Sequence, residues 1–218
     1  MDFEAFWLSV QLAWWTTVTL FALGLPLAYW LAVTRWRLKF LLEAVVVLPM
    51  ILPPTVLGFY VLMAVGPPSV LGRTYEAMVG RSLAFSFEGL LLASVLYSLP
   101  FAVRPFTAAF AGVDRRLVEA SWCLGVSRLR TFLSISVPLS WAGILTGVIL
   151  SFAHTLGEFG VVLMVGGNIP GVTRTVSISI YDEVQAANYG MAAMTSLVLL
   201  ASSFLAVSVT HLVNRKTI

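Results

Sequence analysis

The chain has 218 residues, of which 59% are apolar and 11% charged, with a formal net charge of +3. A soluble domain carries about 25% charged residues, so this composition excludes a fully hydrated surface and points to lipid as the solvent. The pI of 9.3 does not indicate nucleic acid, because the basic residues lie between apolar stretches and form no single patch. The single cysteine, Cys123, excludes an intrachain disulfide.

Three long stretches, 5–34, 44–72 and 184–214, contain no Asp, Glu, Lys or Arg. Crossing the hydrocarbon core takes about 20 apolar residues, and each stretch is long enough. The opening Met-Asp-Phe-Glu is acidic where a signal peptide is basic, so the first apolar segment is expected to be retained. Taken in chain order, the predicted spans are 9–34, 44–66, 86–111, 138–165 and 188–212. The third is the least apolar, with Glu88 and Arg104 toward its ends, where long side chains reach water. A sixth span over 159–172 is disfavoured, because Gly166-Gly167-Asn168-Ile169-Pro170-Gly171 reads as a turn at the outer surface. The expectation is an all-α membrane protein of one domain, 1–218.

Orientation follows from the basic residues. With the N-terminus outside, the inner segments hold Arg35, Arg37, Lys39, Arg104, Arg115, Arg116, Arg128, Arg130, Arg215 and Lys216, ten of the thirteen. The outer segments keep Arg73, Arg81 and Arg174. Five spans with the N-terminus out and the C-terminus in satisfy this bias. Pro49, Pro53, Pro54 and Pro100 fall inside spans and remove backbone donors, while Trp7, Trp14, Trp15, Trp30 and Trp36 suit interfacial belts.

The inner segment 112–130 is the most informative. Asp114 is placed as a helix N-cap, Leu117, Ala120, Ser121 and Leu124 recur at helical spacing on one side, and Gly125 ends the helix. Period and charge alone fit either a helix resting on lipid headgroups or a docking element. The small Ala120 and Ser121 permit close approach, Glu119 offers a charge to a basic partner, and Gly125 permits a sharp turn. The chain has two lysines, Lys39 and Lys216, and neither follows a Gly-x-x-x-x-Gly, so it carries no P-loop.

Glu119-Ala120-Ser121, Leu124-Gly125, Phe132 and Val137-Pro138 resemble the "EAA" loop of ABC-importer permeases, with Ser121 in place of the second alanine. Leu48-Pro49-Met50-Ile51-Leu52-Pro53-Pro54, Leu156-Gly157-Glu158-Phe159-Gly160 and the 166–175 segment are similar to the permeases of molybdate importers, and sulfate and tungstate permeases are near relatives. The resemblance extends over essentially the whole chain. It implies the type I importer fold and a location in the bacterial or archaeal cytoplasmic membrane. It also implies that the 114–125 helix couples to a cytoplasmic ABC ATPase dimer, which would carry ATP and Mg; this chain itself would hold no cofactor. A homodimer with its path on the two-fold axis is expected. An exported oxyanion-binding protein is expected to contact the outer loops 66–85 and 166–188.

Three further residues are candidates for the pathway or gate. His154 and Glu158 lie four apart and would share a helix face, as a gating pair or as a structural hydrogen-bond pair between Gly157 and Gly160. A carboxylate in the path of an anionic cargo would repel it, which favours gating or packing. Arg104 would either ease the exit of an oxyanion or anchor a span at the headgroups. Two ligands without a third make no metal site. No catalytic set is visible in the spans, and no inverted repeat of the kind secondary transporters carry.

Overall fold

A computed structural model describes residues 2–215; the expectations on Lys216 and on the Arg215 side chain lie outside what it describes. In chain order the helices are α1 Phe3–Val33, α2 Lys39–Ile51, α3 Pro54–Val65, α4 Val70–Val79, α5 Phe87–Ala111, α6 Arg115–Cys123, α7 Arg128–Thr131, α8 Val137–Leu139, α9 Trp141–Leu156, α10 Gly160–Gly166, α11 Val176–Gln185 and α12 Tyr189–Arg215. A wide π-helical turn, Phe132–Ser136, joins α7 to α8. No strand occurs among the described residues.

Three helices are long and apolar enough to cross a membrane: Phe3–Val33, Phe87–Ala111 and the Tyr189–Leu212 part of α12. Two bent pairs raise the number to as many as five. The chain is therefore an all-α, multi-pass membrane protein, but the second and fourth segments depart from the continuous helices expected. The 44–66 segment breaks into α2 and α3, which meet at 112°. Leu52 and Pro53 are extended there, with ψ of 141° and 135°, because each precedes a proline whose ring disfavours the helical region. The 138–165 segment begins with a 75° bend between the α7–α8 stretch and α9. It breaks again after Leu156, so α10 is a separate helix.

The core is α1 against α5, with α9 across both. Leu20, Leu31, Val103, Phe106 and Ile144 are fully enclosed there. Close approach of α9 to α5 depends on two glycines one turn apart, a small-residue spacing favoured between membrane helices. A Cβ on Gly143 would lie 2.5 Å from Ala109 Cβ, and one on Gly147 2.5 Å from the Phe106 ring. A second cluster packs α3 on α10, where Gly160 abuts Pro54 and Gly58 abuts Met164. The two breaks are thus packed against each other.

Outside the bundle core, the 166–171 segment forms a turn, with Gly167 and Gly171 at φ of 66° and 72°. Thr173 Oγ1 closes it by donating to the Gly166 carbonyl at 2.7 Å and accepting from Ile169 N–H at 3.1 Å. Arg174 and Asn168 then reach Asp182 on α11, at 3.7 Å and 2.7 Å. α11 was not expected from the sequence. It is held to α1 by the Val176 N–H, which donates to Ser9 Oγ at 2.8 Å.

Candidate functional site

α6 forms where the sequence places it. Asp114 Oδ1 accepts from the Arg116 N–H at 2.9 Å, which satisfies a free donor of the first turn. At the other end Leu124 caps the helix and Gly125 enters the left-handed region at φ 77°. The Gly125 N–H donates to Trp122 O at 2.9 Å and the Val126 N–H to Ser121 O at 3.1 Å. These are the two bonds of a Schellman motif, and they fix the reversal that turns the chain back toward α7.

The stripe expected on one side of α6 is divided in the structure. Ser121 is buried, with its hydroxyl 2.9 Å from that of Thr131, which is itself fully enclosed. Leu117 (49% exposed) and Leu124 (83%) remain open together with Ala120. Nearby Leu129 and Leu133 add exposed apolar surface. The reason for the division is that α7 and the π-turn pack along only one edge of α6. Glu119 lies on the other side of α6, at a cavity of about 380 Å³ shared with Arg35, Arg115, Trp122 and Arg128. The Arg128 guanidinium stands over the Trp122 ring at 5.8 Å.

The second candidate region lies at the break after α9. His154 Nδ1 is 2.9 Å from Ser98 Oγ on α5, which also pairs with Thr155 Oγ1 at 2.8 Å. The imidazole stacks on Phe101, with centroids 3.9 Å apart, beside Tyr97. Glu158 does not pair with it. The helix ends at Leu156, so the one-turn relation between positions 154 and 158 is lost. Glu158 is 4% exposed, and among the described residues neither carboxylate oxygen meets a hydrogen-bond partner, nor does the Ser94 hydroxyl. Arg104 is apart from both, at a cleft between α2 and α5 that it shares with Glu43 and Thr107. No group of three or more His, Cys, Asp or Glu able to hold a metal ion occurs among the described residues.

Sequence reasoning missed Ser98, Tyr97 and Phe101 as the setting of His154. Their signal was present, since Ser94 and Ser98 lie four apart in the charge-free 89–103 part of the span and share a helix face. It also missed Thr131 as the partner of Ser121 and Arg35 beside α6. Ser98 and His154 are 56 residues apart, and Ser121 and Thr131, though only 10 apart, lie on separate helices, so neither pairing leaves a local periodicity.

Broken and continuous spans around a tight glycine-lined core, with a capped helix exposed beside it, describe a multi-pass membrane protein, and its class is given by its family. The chain belongs to the family of binding-protein-dependent transport system inner membrane components, whose model matches residues 24–218. It is 47% identical over 191 residues to the molybdenum transport system permease protein ModB of Azotobacter vinelandii, covering 88% of this chain and 84% of that protein. It is also 37% identical over 167 residues to the putative molybdenum transport system permease protein YvgM of Bacillus subtilis, covering 77% and 74%. Among solved structures, a bacterial alginate ABC transporter in complex with an alginate pentasaccharide-bound periplasmic protein matches with TM-score 0.77 and 16% identity, over 99% of this chain and 79% of that one. The MetNI methionine ABC transporter, in inward-facing conformations, matches with TM-score 0.69 and 16% identity, over 98% and 96%. The fold is that of the type I ABC importer permeases.

Proposed function

We propose that the chain is the permease subunit of an ATP-binding-cassette importer and carries molybdate across the cytoplasmic membrane. The observation that carries the reading is α6, a capped helix whose Leu117, Ala120 and Leu124 are left uncovered while the adjoining edge of the same stripe is tied into the bundle through Ser121 and Thr131. An apolar face of that kind on a water-exposed helix suits a partner protein, here a cytoplasmic ATPase dimer carrying ATP and Mg. Asp114 and Gly125 set the two ends of the helix. Displacement of α6 would pass through Thr131 and the π-turn into α9, whose glycines seat it on α5. Two copies would form the path, since five spans of one chain do not easily surround one.

Specificity for molybdate is supported by the 47% identity to a molybdenum permease. Sulfate is the second reading, supported by 30% identity over 202 residues to the probable sulfate permease cysT of Chlorella vulgaris. An exported oxyanion-binding protein would deliver the cargo to the outer loops 66–85 and 166–188, with the N-terminus on that side and the C-terminus cytoplasmic. His154, in the last turn of α9, and Glu158, just beyond it, are assigned to gating or to packing rather than to cargo, and Arg104 to the inner end. Vesicles holding the chain, the ATPase and the loaded binding protein should take up molybdate only with ATP and both partners present. Uptake without ATP would indicate a secondary transporter and refute the assignment, and sulfate outcompeting molybdate would move it to the second reading.

A further inference from the structure

The cavity beside α6 gathers arginines to which the transport reading gives no role. Its rim carries three guanidinium groups, Arg35 at the end of α1, Arg115 on α6 and Arg128 on α7, against one carboxylate, Glu119. None of the three makes an ion pair among the described residues. Cations gathered around one volume repel each other, so an anion seated there lowers the energy of the arrangement. The floor is apolar and aromatic, formed by Tyr29, Phe110 and Val118. Val33 continues this wall to the lipid-facing end of α1, where Trp30, Val33 and Trp36 are exposed and the two indole rings lie 6.0 Å apart, the placement of an interfacial aromatic belt.

We infer that this cavity binds the headgroup of an anionic phospholipid, with Arg35, Arg115 and Arg128 on the phosphate and an acyl chain running along Val33 and the exposed end of α1. The volume, about 380 Å³, lies in the range of small-molecule pockets, about 300–1,000 Å³. Basic pockets between membrane helices at the inner face take anionic headgroups for the same reasons. A soluble oxyanion would satisfy the arginines and leave the aromatic floor unused, so the lipid is the better occupant. The lipid would then be wedged between α1 and α6, where it braces α6 from behind.

Native mass spectrometry of the full chain in neutral detergent tests this, using phosphatidylglycerol with phosphatidylcholine as the zwitterionic control. The ratio of the two lipids retained should favour phosphatidylglycerol. It should fall about fivefold for each arginine removed in Arg35→Gln and Arg128→Gln, and about 25-fold in the double variant. Glu119→Gln removes the opposing charge and should raise the ratio, by up to about fivefold, an effect of opposite sign that general damage to the fold would not produce. Equal retention of the two lipids by the parent chain overturns the inference, as does a fall with Glu119→Gln. Displacement of phosphatidylglycerol by millimolar inorganic phosphate would also overturn it, by making the site one for soluble anions. The readout involves no ATP, partner or cargo, so its failure leaves the transport reading standing.

Discussion

Replacing Gly125 by valine isolates the backbone of the α6 turn from its packing. A Cβ built at position 125 meets no atom within 4 Å, so crowding contributes nothing and the cost is conformational. Gly125 sits at φ 77°, a region that costs an L-residue about 1–2 kcal/mol, with a β-branched side chain at the upper end. If valine leaves that region instead, the bonds from the Gly125 and Val126 amides to Trp122 and Ser121 are lost, at about 0.5–1.5 kcal/mol each. Either route weakens the turn by about 1–3 kcal/mol, a factor of about 5 to 150 in its opening equilibrium. Amide hydrogen exchange on the chain in vesicles reads this directly, and residues 125 and 126 should exchange faster by that factor. Uptake per ATP hydrolysed by the reconstituted importer should fall with it, and Gly125→Asn should suffer less because asparagine tolerates the left-handed region. Unchanged exchange in the valine variant, or asparagine doing worse than valine, would refute the turn-based reasoning.

Ser121→Val or Thr131→Val leaves a buried hydroxyl unpaired and should cost about 1–3 kcal/mol, whereas the double variant should be milder than the sum; a double-mutant cycle on thermal unfolding in detergent measures the coupling. Gly147→Ala drives a methyl to 2.5 Å from the fully buried Phe106 ring and should lower the melting temperature by the equivalent of about 1–3 kcal/mol. Gly190→Ala, with open space around it on α12, should stabilise by about 0.5–1 kcal/mol in the same assay. Ser98→Ala strips both His154 and Thr155 of their partner and should cost about 1–3 kcal/mol in the same assay.

The fold class and the α6 helix were legible because their signals are local. Charge-free runs report lipid directly, and α6 announces both ends through Asp114 and Gly125, each acting on amides within three residues of itself. The direction in which α6 presents its side chains was not legible. On a helical wheel Ser121 belongs with Leu117 and Leu124, and only the packing of α7 and the π-turn along one edge decides that the serine faces inward. Glu158 shows the same limit from the other side. Spacing pairs it with His154, but the helix stops two residues short of it, and the histidine finds Ser98 on another span, 56 residues away.

The breaks in the spans mark where sequence reasoning could have gone further. Proline alone does not predict them, since Pro26 lies inside an unbroken α1 and Pro100 and Pro105 inside an unbroken α5. A single proline removes one donor and restrains one preceding residue, and neighbouring spans can absorb both effects. At Leu52-Pro53-Pro54 two consecutive residues precede prolines, so two consecutive ψ angles are pushed out of the helical region, and both are found extended. Two such residues redirect the chain axis instead of bending it, and α2 goes on to pack against α5 while α3 packs mainly against α10. Pro138 is an intermediate case: it directly follows the π-turn, which closes with the Val137 N–H donating to the Phe132 carbonyl, and the chain bends at Ser140. Doubled proline within an apolar run marks the 44–66 segment as two helices, whereas the break after Leu156 has no proline and falls at Gly157.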